Sequence, residues 1–282
     1  MDATLSTING EPTLRFERHL RHSPAKVWRA VSDPEEMKHW FPAAVETELR
    51  PGAPMRFTFP AAAVVDGVWE GEVLEVDEPK VYMFRWNQDV LRIELIPDGD
   101  GCRLVFTQTI GGGQVGVLGA GRTAAGWDTC LDQLVAGLDG GSVAESTDWL
   151  TPMAHYIEKF GLGYGTVEAG ALHFARDLVW KPAPEVWAVL TTLPTGPVVT
   201  SDEPHVLEHE SPEGTVRWEI VSDPMLGVRV ELTVAARTDV VAALATWHAR
   251  LDRFFAAVMG ADRPLSEDRV AELTKVYEER LG

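Results

Sequence analysis

Cysteine is scarce in this sequence, with only Cys102 and Cys130 among 282 residues. Two cysteines cannot form the disulfide framework of a small secreted domain, and a reducing compartment suits them better. No apolar run approaches the roughly 18 residues that a membrane-spanning helix needs. The first residues show neither the basic nor the apolar segment of a signal peptide. We therefore expect a cytoplasmic protein, without membrane insertion, whose two thiols are buried and inert.

Positive charge is also in short supply, because 25 lysines and arginines face 43 aspartates and glutamates and leave a net charge of −18. Nucleic acids and anionic membrane surfaces would repel such a chain. The sequence therefore predicts no nucleic-acid partner. The simplest role of the acidic surplus is solubility, and a dedicated basic partner is the alternative.

The familiar motifs of catalysis and metal binding are missing as well: there is no Gly-x-Ser-x-Gly elbow, no Walker loop and no His-Glu-x2-His. His205 and His209 have a ligand-like spacing, but on a predicted strand they would lie about 13 Å apart, too far for one zinc ion. Gly111-x-Gly113-x2-Gly116 matches the dinucleotide fingerprint, yet it follows antiparallel strands and no βαβ unit surrounds it. We predict a flexible flap there, and we assign no catalytic residue, no metal site and no cofactor.

An internal repeat is the strongest signal that the sequence does contain. The recurring segments, in the same order in both copies, are 16–20 with 174–178, 27–28 with 186–187, 79–81 with 204–206, 92–94 with 217–219, 127–132 with 247–252, and 156–161 with 277–282. The offset between the copies falls from 159 to 125 residues, so the second copy has lost 34 residues, roughly those at 38–76. We predict two domains, 1–165 and 166–282, the second with fewer strands.

Hydrophobic periodicity gives both copies a similar order of elements. In the first copy we predict strands at 14–20, 45–49, 54–59, 66–76, 80–87, 90–96 and 102–110, a short helix from Pro24, and amphipathic helices at 123–138 and 148–160. In the second copy we predict strands near 171–179, 205–210, 215–221 and 227–236, a helix from Pro184, a long helix at 240–258, and a final helix capped by Ser266. This order indicates an α+β fold in which a long helix covers a curved antiparallel sheet, present twice.

The first copy resembles bacterial homologues of the heat-shock-protein ATPase activator, a branch of the START-like (SRPBCC) superfamily. The resemblance rests on Ser-Pro-Ala-Lys-Val-Trp at 23–28, His39-Trp40-Phe41, the stretch 71–77, Phe84-Arg85-Trp86, and Gly126-Trp127 with Leu131-Asp132. The second copy resembles the superfamily at 183–187 and in its long helix. The resemblance implies a helix-grip fold, whose sheet wraps the long helix and leaves a cavity for an apolar ligand. It does not imply one activity, since such folds bind lipids, hormones or polyketides, cyclise polyketides, or act as co-chaperones.

Tryptophan is abundant, with ten residues. Aromatic rings supply apolar contact, and an indole N–H can orient a polar group of a ligand. The candidate ligand-binding residues, called the nine-residue set, are Trp40, Phe41, Phe57, Trp69, Phe84, Trp86, Phe106, Gln108 and Trp127. Gln108 would offer the polar contact. Each ring could also belong to the ordinary core, because strand alternation does not reveal which face is concave.

Three functions are compatible with these observations. The one we favour is non-catalytic binding of a small apolar or amphipathic molecule in the cavity of the first domain. The alternatives are a protein-interaction or co-chaperone-like module and a polyketide aromatase/cyclase-like enzyme. With about four strands, the second copy would not enclose a ligand, and we expect it to cover a sheet edge of the first domain or to form a homodimer contact.

Overall fold

The computed structural model describes residues 3–60, 68–144, 146–194, 196–237 and 239–282. The first two residues of the strand predicted at 66–76 lie outside these ranges. The chain divides into two compact units, Met1–Tyr156 and Ile157–Gly282, called unit 1 and unit 2.

Unit 1 is built on one antiparallel sheet. Its strands are β1 (Thr4–Ile8), β2 (Glu11–Leu20), β3 (Ala44–Glu46), β4 (Pro54–Thr58), β5 (Val68–Asp77), β6 (Val81–Trp86), β7 (Asp89–Asp98) and β8 (Gly101–Thr109), and its helices are α1 (Pro24–Ser32), α2 (Pro34–Met37), α3 (Gly113–Leu118), α4 (Ala120–Leu138) and the first part of α5 (Leu150–Lys159). The eight strands follow the order β1-β2-β8-β7-β6-β5-β4-β3. This is the meander that the tight turns between short apolar runs predict.

Unit 2 repeats the plan with a smaller antiparallel sheet. Its strands are β9 (Thr166–Glu168), β10 (Ala171–Asp177), β11 (Val198–Asp202), β12 (Val206–Ser211), β13 (Gly214–Asp223) and β14 (Gly227–Ala236), and its further helices are α6 (Ala183–Leu190), α7 (Val240–Val258) and α8 (Glu267–Leu281). The order of the six strands is β11-β12-β13-β14-β10-β9. The hydroxyl of Ser266 caps α8, as predicted, by accepting from the Arg269 N–H at 3.4 Å.

In each unit the long helix packs against the sheet through aromatic rings. In unit 1 the ring centroid of Trp127 on α4 lies 4.5 Å from that of Phe106 on β8. In unit 2 the ring of Phe254 on α7 lies 5.3 Å from Trp218 on β13. A sheet gripping one long helix, formed twice, is the α+β helix-grip architecture that the repeat predicts. Across the described ranges, no helix combines the length and apolar character needed to cross a membrane.

Three expectations about local structure were wrong. Unit 1 has eight strands rather than the seven predicted, because β1 was missed, and four of its five residues are exposed. Unit 2 has six strands rather than about four, because β9 and β11 were missed. Every residue of β9 and β11 is exposed, so neither strand shows the apolar alternation by which strands are recognised. The glycines at 111–116 do not form a flap throughout, since α3 begins at Gly113. Gly112 and Gly113 have φ angles of 80° and 59°, a left-handed conformation that glycine adopts easily before the chain turns into the helix.

Candidate functional site

Four strands of unit 1, β4, β5, β6 and β8, bring six members of the nine-residue set to one face of the sheet. Phe57 on β4 lies directly opposite Trp69 on β5, and Phe84 and Trp86 share a face of β6 because side chains two residues apart point the same way. Gly71 pairs with Trp86 across β5 and β6. A side chain at Gly71 would come within 2.9 Å of the Phe57 ring, so this glycine leaves room for that ring over the sheet.

Phe41 is the centre of this aromatic cluster. Its ring centroid lies 5.3 Å from Trp86, 5.5 Å from Trp127, 6.0 Å from Phe57 and 6.2 Å from Phe84. Its position, in the turn after α2, seats it between the sheet and α4. Phe41, Phe57 and Phe84 are all buried. These rings contact one another, and this part of unit 1 is therefore packed.

The cluster reaches solvent at one edge, where Trp69 and Trp86 are half-buried. The Trp86 ring stacks on Phe57 at 5.0 Å and on Phe59 at 5.8 Å, with interplanar angles of 23° and 26°. The indole N–H of Trp86 is nevertheless buried and has no hydrogen-bond partner. A buried donor left unpaired costs about 1–3 kcal/mol. This N–H is available to an acceptor on a ligand.

A chain of hydrogen bonds closes one side of the cluster. The Trp127 indole N–H donates to the Gln108 side-chain oxygen, and the Gln108 amide donates to the Asp89 carboxylate. The Gly111 backbone N–H donates to the other Asp89 oxygen at 2.8 Å. Burial raises the pKa of the Asp89 carboxyl, against the opposing effect of these two hydrogen bonds and of Arg122. Gln108 therefore uses its polar atoms within the protein.

Two residues of this site were missed by the sequence prediction. Phe59 stands two positions after Phe57, and this spacing could have identified it. Asp89 lies in the Asn87-Gln88-Asp89 segment, which the sequence marks as a turn and nothing more. Its contacts with Gln108 and Gly111, about twenty residues away along the chain, come from the pairing of β7 with β8.

Trp40 belongs to the edge of the cluster and to a second feature. Its ring centroid lies 5.6 Å from Phe41, and its indole N–H donates to the Ala30 carbonyl at 2.9 Å. Trp40 also lines a pocket of about 350 Å³ between α1, α2 and the end of α4, called the α1–α4 pocket. The pocket is lined by Lys26, Arg29, Ala30, Glu36, His39, Trp40, Gln133, Leu134, Gly137, Leu138, Gly141 and Ser142.

The histidines and cysteines offer little chemistry. His205 is exposed, whereas His209 is buried and its Nε2 lies 3.4 Å from the Trp218 indole nitrogen. Within the described residues, no three side chains of His, Cys, Asp or Glu are grouped to hold a metal ion. Burial raises the pKa of both free thiols, that of Cys130 to about 12. At neutral pH both are therefore protonated.

The two gripped helices and the aromatic interior define a helix-grip fold, formed twice. The sequence profile of the activator of Hsp90 ATPase homolog 1-like protein family matches residues 21–139. This match lies entirely within unit 1. No curated protein matches the chain at a significant level.

Several solved structures are similar to about half of this chain. The conserved protein of unknown function EF2215 from Enterococcus faecalis is 23% identical, with a TM-score of 0.49 over 56% of this chain and 90% of its own. CalU16 from Micromonospora echinospora is 19% identical, with a TM-score of 0.44 over 56% and 93%. The MLL2253 protein from Mesorhizobium loti is 24% identical, with a TM-score of 0.40 over 46% and 99%.

Proposed function

We propose that unit 1 binds a small, mainly apolar molecule at the half-buried edge of the aromatic cluster, without catalysing a reaction on it. The family whose profile matches residues 21–139 supports a ligand-binding or co-chaperone-like module. The observation that favours ligand binding is the buried Trp86 N–H, which has no hydrogen-bond partner among the described residues. A ligand acceptor that reached it would remove the desolvation penalty of an unpaired donor.

The geometry favours a flat ligand with one hydrogen-bond acceptor. Phe57, Phe59 and Trp86 form a nearly parallel stack, and flat rings gain most contact by stacking with an offset. The Trp86 N–H supplies orientation. Because the rings of the cluster contact one another, the ligand takes its place by moving the half-buried Trp69 outward, while Trp86 stays in the stack. Phe41, Phe84, Phe106 and Trp127 then form the wall behind it.

Native mass spectrometry of the purified full chain tests this proposal, with organic extraction of any bound molecule. The released compound, or a panel of flavonoids, aromatic polyketides and fatty acids, is then titrated calorimetrically. We expect Trp86→Phe, which removes the N–H and keeps an aromatic ring, to weaken binding by about 0.5–1.5 kcal/mol, or two- to tenfold. Trp149→Phe is the matched control, because Trp149 is half-exposed and lies outside the cluster. Its affinity should equal that of the wild type.

Two results would contradict the proposal. One is a protein that carries no small molecule and gives no binding heat with any compound in the panel. The other is a ligand whose affinity is the same in Trp86→Phe and in the wild type, because the unpaired N–H would then play no part.

A further inference from the structure

The α1–α4 pocket has a volume of about 350 Å³, which falls within the range of small-molecule sites. It is lined by residues of α1, of α2 and the turn after it, and of the end of α4, and Trp40 is the one member of the nine-residue set among them. Trp86 does not line this pocket.

The charge of the pocket is opposite to that of the chain. Lys26, Arg29 and His39 line it together with a single carboxylate, Glu36, although acidic residues outnumber basic ones by 43 to 25 in the whole sequence. A concave site whose charged groups are mainly positive attracts anions. The pocket therefore selects for anions in a protein that otherwise repels them.

Lys26 and Arg29 differ in how many of their hydrogen-bond donors are already bonded to other residues. Lys26 donates to the Leu138 carbonyl at 2.8 Å, at the C-terminal end of α4, where a cation is favourable. The Nε of Arg29 lies 3.3 Å from a Glu36 carboxylate oxygen, and no other partner of Arg29 occurs among the described residues. Its two terminal nitrogens therefore remain available, and together they can hold a carboxylate in two parallel hydrogen bonds.

The lining also has an apolar side and an open side. The Trp40 N–H is already bonded to Ala30, so its ring offers only an apolar surface beside Leu134 and Leu138. Gly137 lies in the last turn of α4, and a side chain there would meet no atom within 4 Å. The space above Gly137 thus extends the apolar side of the pocket.

We propose that the α1–α4 pocket binds a small amphipathic carboxylate. Its charged end is held by the terminal nitrogens of Arg29, with Lys26 adding positive charge. Its apolar body lies against Trp40 and Leu134, over Gly137. This site is separate from the one at Trp86, and either could exist without the other.

Calorimetric titration of the full chain with octanoate and with 1-octanol tests this site, because the two probes share an apolar body and differ in charge. We expect saturable binding of octanoate and at least tenfold weaker binding of octanol. Arg29→Gln should weaken octanoate about tenfold, the effect of losing a charge-assisted pair. Gly137→Leu should abolish binding by filling the pocket. Gly126→Leu is the matched control, since Gly126 is also on α4 and also has no atom within 4 Å of an added side chain.

The outcomes separate this proposal from the one made for Trp86. Octanoate binding that survives Gly137→Leu and is weakened by Trp86→Phe would place the anion at the aromatic cluster and overturn the α1–α4 site. No saturable binding of octanoate, or equal affinities for octanoate and octanol, would also overturn it. Loss of binding in both Gly137→Leu and Gly126→Leu would show a general effect on α4 and count against the site.

Discussion

The two units share a polar clamp between the sheet and the helices, and they differ at one position of it. In unit 1, Arg18 on β2 donates to Asp128 on α4 at 2.7 Å, and the Tyr156 hydroxyl on α5 donates to the same carboxylate. In unit 2, Arg176 on β10 donates to Asp252 on α7 at 2.9 Å, and the Tyr277 hydroxyl on α8 lies 2.9 Å from the Nδ1 of His248.

Both tyrosines also hold the first strand of their sheets. The Ala3 N–H donates to the Tyr156 hydroxyl at 3.1 Å, and the Gly165 N–H donates to the Tyr277 hydroxyl at 2.8 Å. The arginine, aspartate and tyrosine motifs that recur in the sequence are therefore parts of one structural device. The repeated residues of the clamp stabilise the fold of each unit, and their repetition is no evidence for a shared ligand.

The interiors of the units have diverged where the clamp has not. By strand register, Gln108 lies opposite Leu14 in unit 1, and Val234 lies opposite Leu172 at the equivalent place in unit 2. Trp127 therefore has an acceptor for its N–H, whereas its counterpart Trp247 has none among the described residues.

Between the sheet and the long helix, unit 2 contains a different set of aromatic rings from unit 1. Trp218 lies there, with ring centroids 6.2 Å from Trp247 and 5.3 Å from Phe254. Phe41 and Phe57 belong to the segment that the second copy has lost. The stack of Phe57, Phe59 and Trp86 is thus confined to unit 1, although Trp86 and Trp247 give each unit a buried indole N–H without a partner. Four predictions test how far the division between the units extends.

The largest effect should come from the arginine of the clamp. Arg176 and Asp252 have side chains only 4% and 14% exposed, so Arg176→Met leaves a buried carboxylate without its main partner and should destabilise unit 2 by about 3–5 kcal/mol. Arg18→Met is the matched change in unit 1, where Asp128 and Asp132 are 26% and 59% exposed, and it should cost less. Urea denaturation followed by hydrogen exchange, which locates the unfolding, measures both. Equal losses of stability in Arg176→Met and Arg18→Met would mean that burial of the partner carboxylate does not determine the cost of losing the arginine.

The next effect is a dependence of stability on pH that only unit 2 should show. Burial lowers the pKa of His248 to about 4, with Arg176 adding to the shift and Asp252 opposing it. The unfolded chain takes up this proton near its ordinary pKa of 6.5, so unit 2 should lose about 2–3 kcal/mol as the pH falls from 6.5 to 4.

His248→Asn removes that titration and keeps an oxygen to accept from the Tyr277 hydroxyl. Thermal unfolding of the variant should be nearly flat from pH 6.5 to 5, above the range in which Glu213, whose pKa is lowered from 4.5, loses its own contribution. Unit 1 has Asp128 at the position of His248 and lacks this titration. The low pKa of Asp252 places its own contribution below this window. A variant with the wild-type slope would rule out His248 as the source.

A third effect tests the divergence of the interiors. Gln108→Val gives unit 1 the residue of unit 2, leaves the Trp127 N–H unpaired and removes one hydrogen bond from Asp89, so it should cost about 1–3 kcal/mol. Val234→Gln should not gain the same amount for unit 2, because Gly214 stands where unit 1 has Asp89 and the new amide would lack that partner. Urea midpoints of both variants measure the pair. A stabilised Val234→Gln would show that Trp247 alone satisfies the amide.

Much of this comparison could be predicted from the sequence, and the exceptions have physical causes. The repeated motifs predicted which residues of the two copies correspond. The corresponding pairs are Arg18 with Arg176, Asp132 with Asp252, and Tyr156 with Tyr277. Alternation could predict that Phe84 and Trp86 share a face of β6, because it is a local property. The pairing of β4, β5, β6, β7 and β8 is what brings the other strand rings to that face.

The missed features depend on contacts between distant parts of the chain. Asp89 joined the site through strand register. The α1–α4 pocket joins Arg29 to Gly137 across more than a hundred residues, and neither residue carries a motif. The edge strands β9 and β11 escaped because their exposed residues have no apolar face to reveal them.

The smallest effect concerns how the two long helices begin. Asp239 caps α7 by accepting from the Ala242 N–H at 2.9 Å, whereas the equivalent residue before α4 is Gly119, which offers no side chain to cap it. Asp239→Ala should therefore destabilise unit 2 by about 1 kcal/mol, and Asp239→Asn should cost less, because it keeps an acceptor oxygen. Gly119→Ala loses no cap and has a right-handed φ of −76°, so it should stabilise unit 1 by a few tenths of a kcal/mol, as fewer unfolded conformations remain. The flexible end of Arg122 must shift, since it lies 2.8 Å from the added carbon.

Thermal unfolding of the three variants shows directly whether each substitution stabilises or destabilises its unit. Opposite signs at these two equivalent positions would show that the units solve the same helix start independently, and equal signs would refute it.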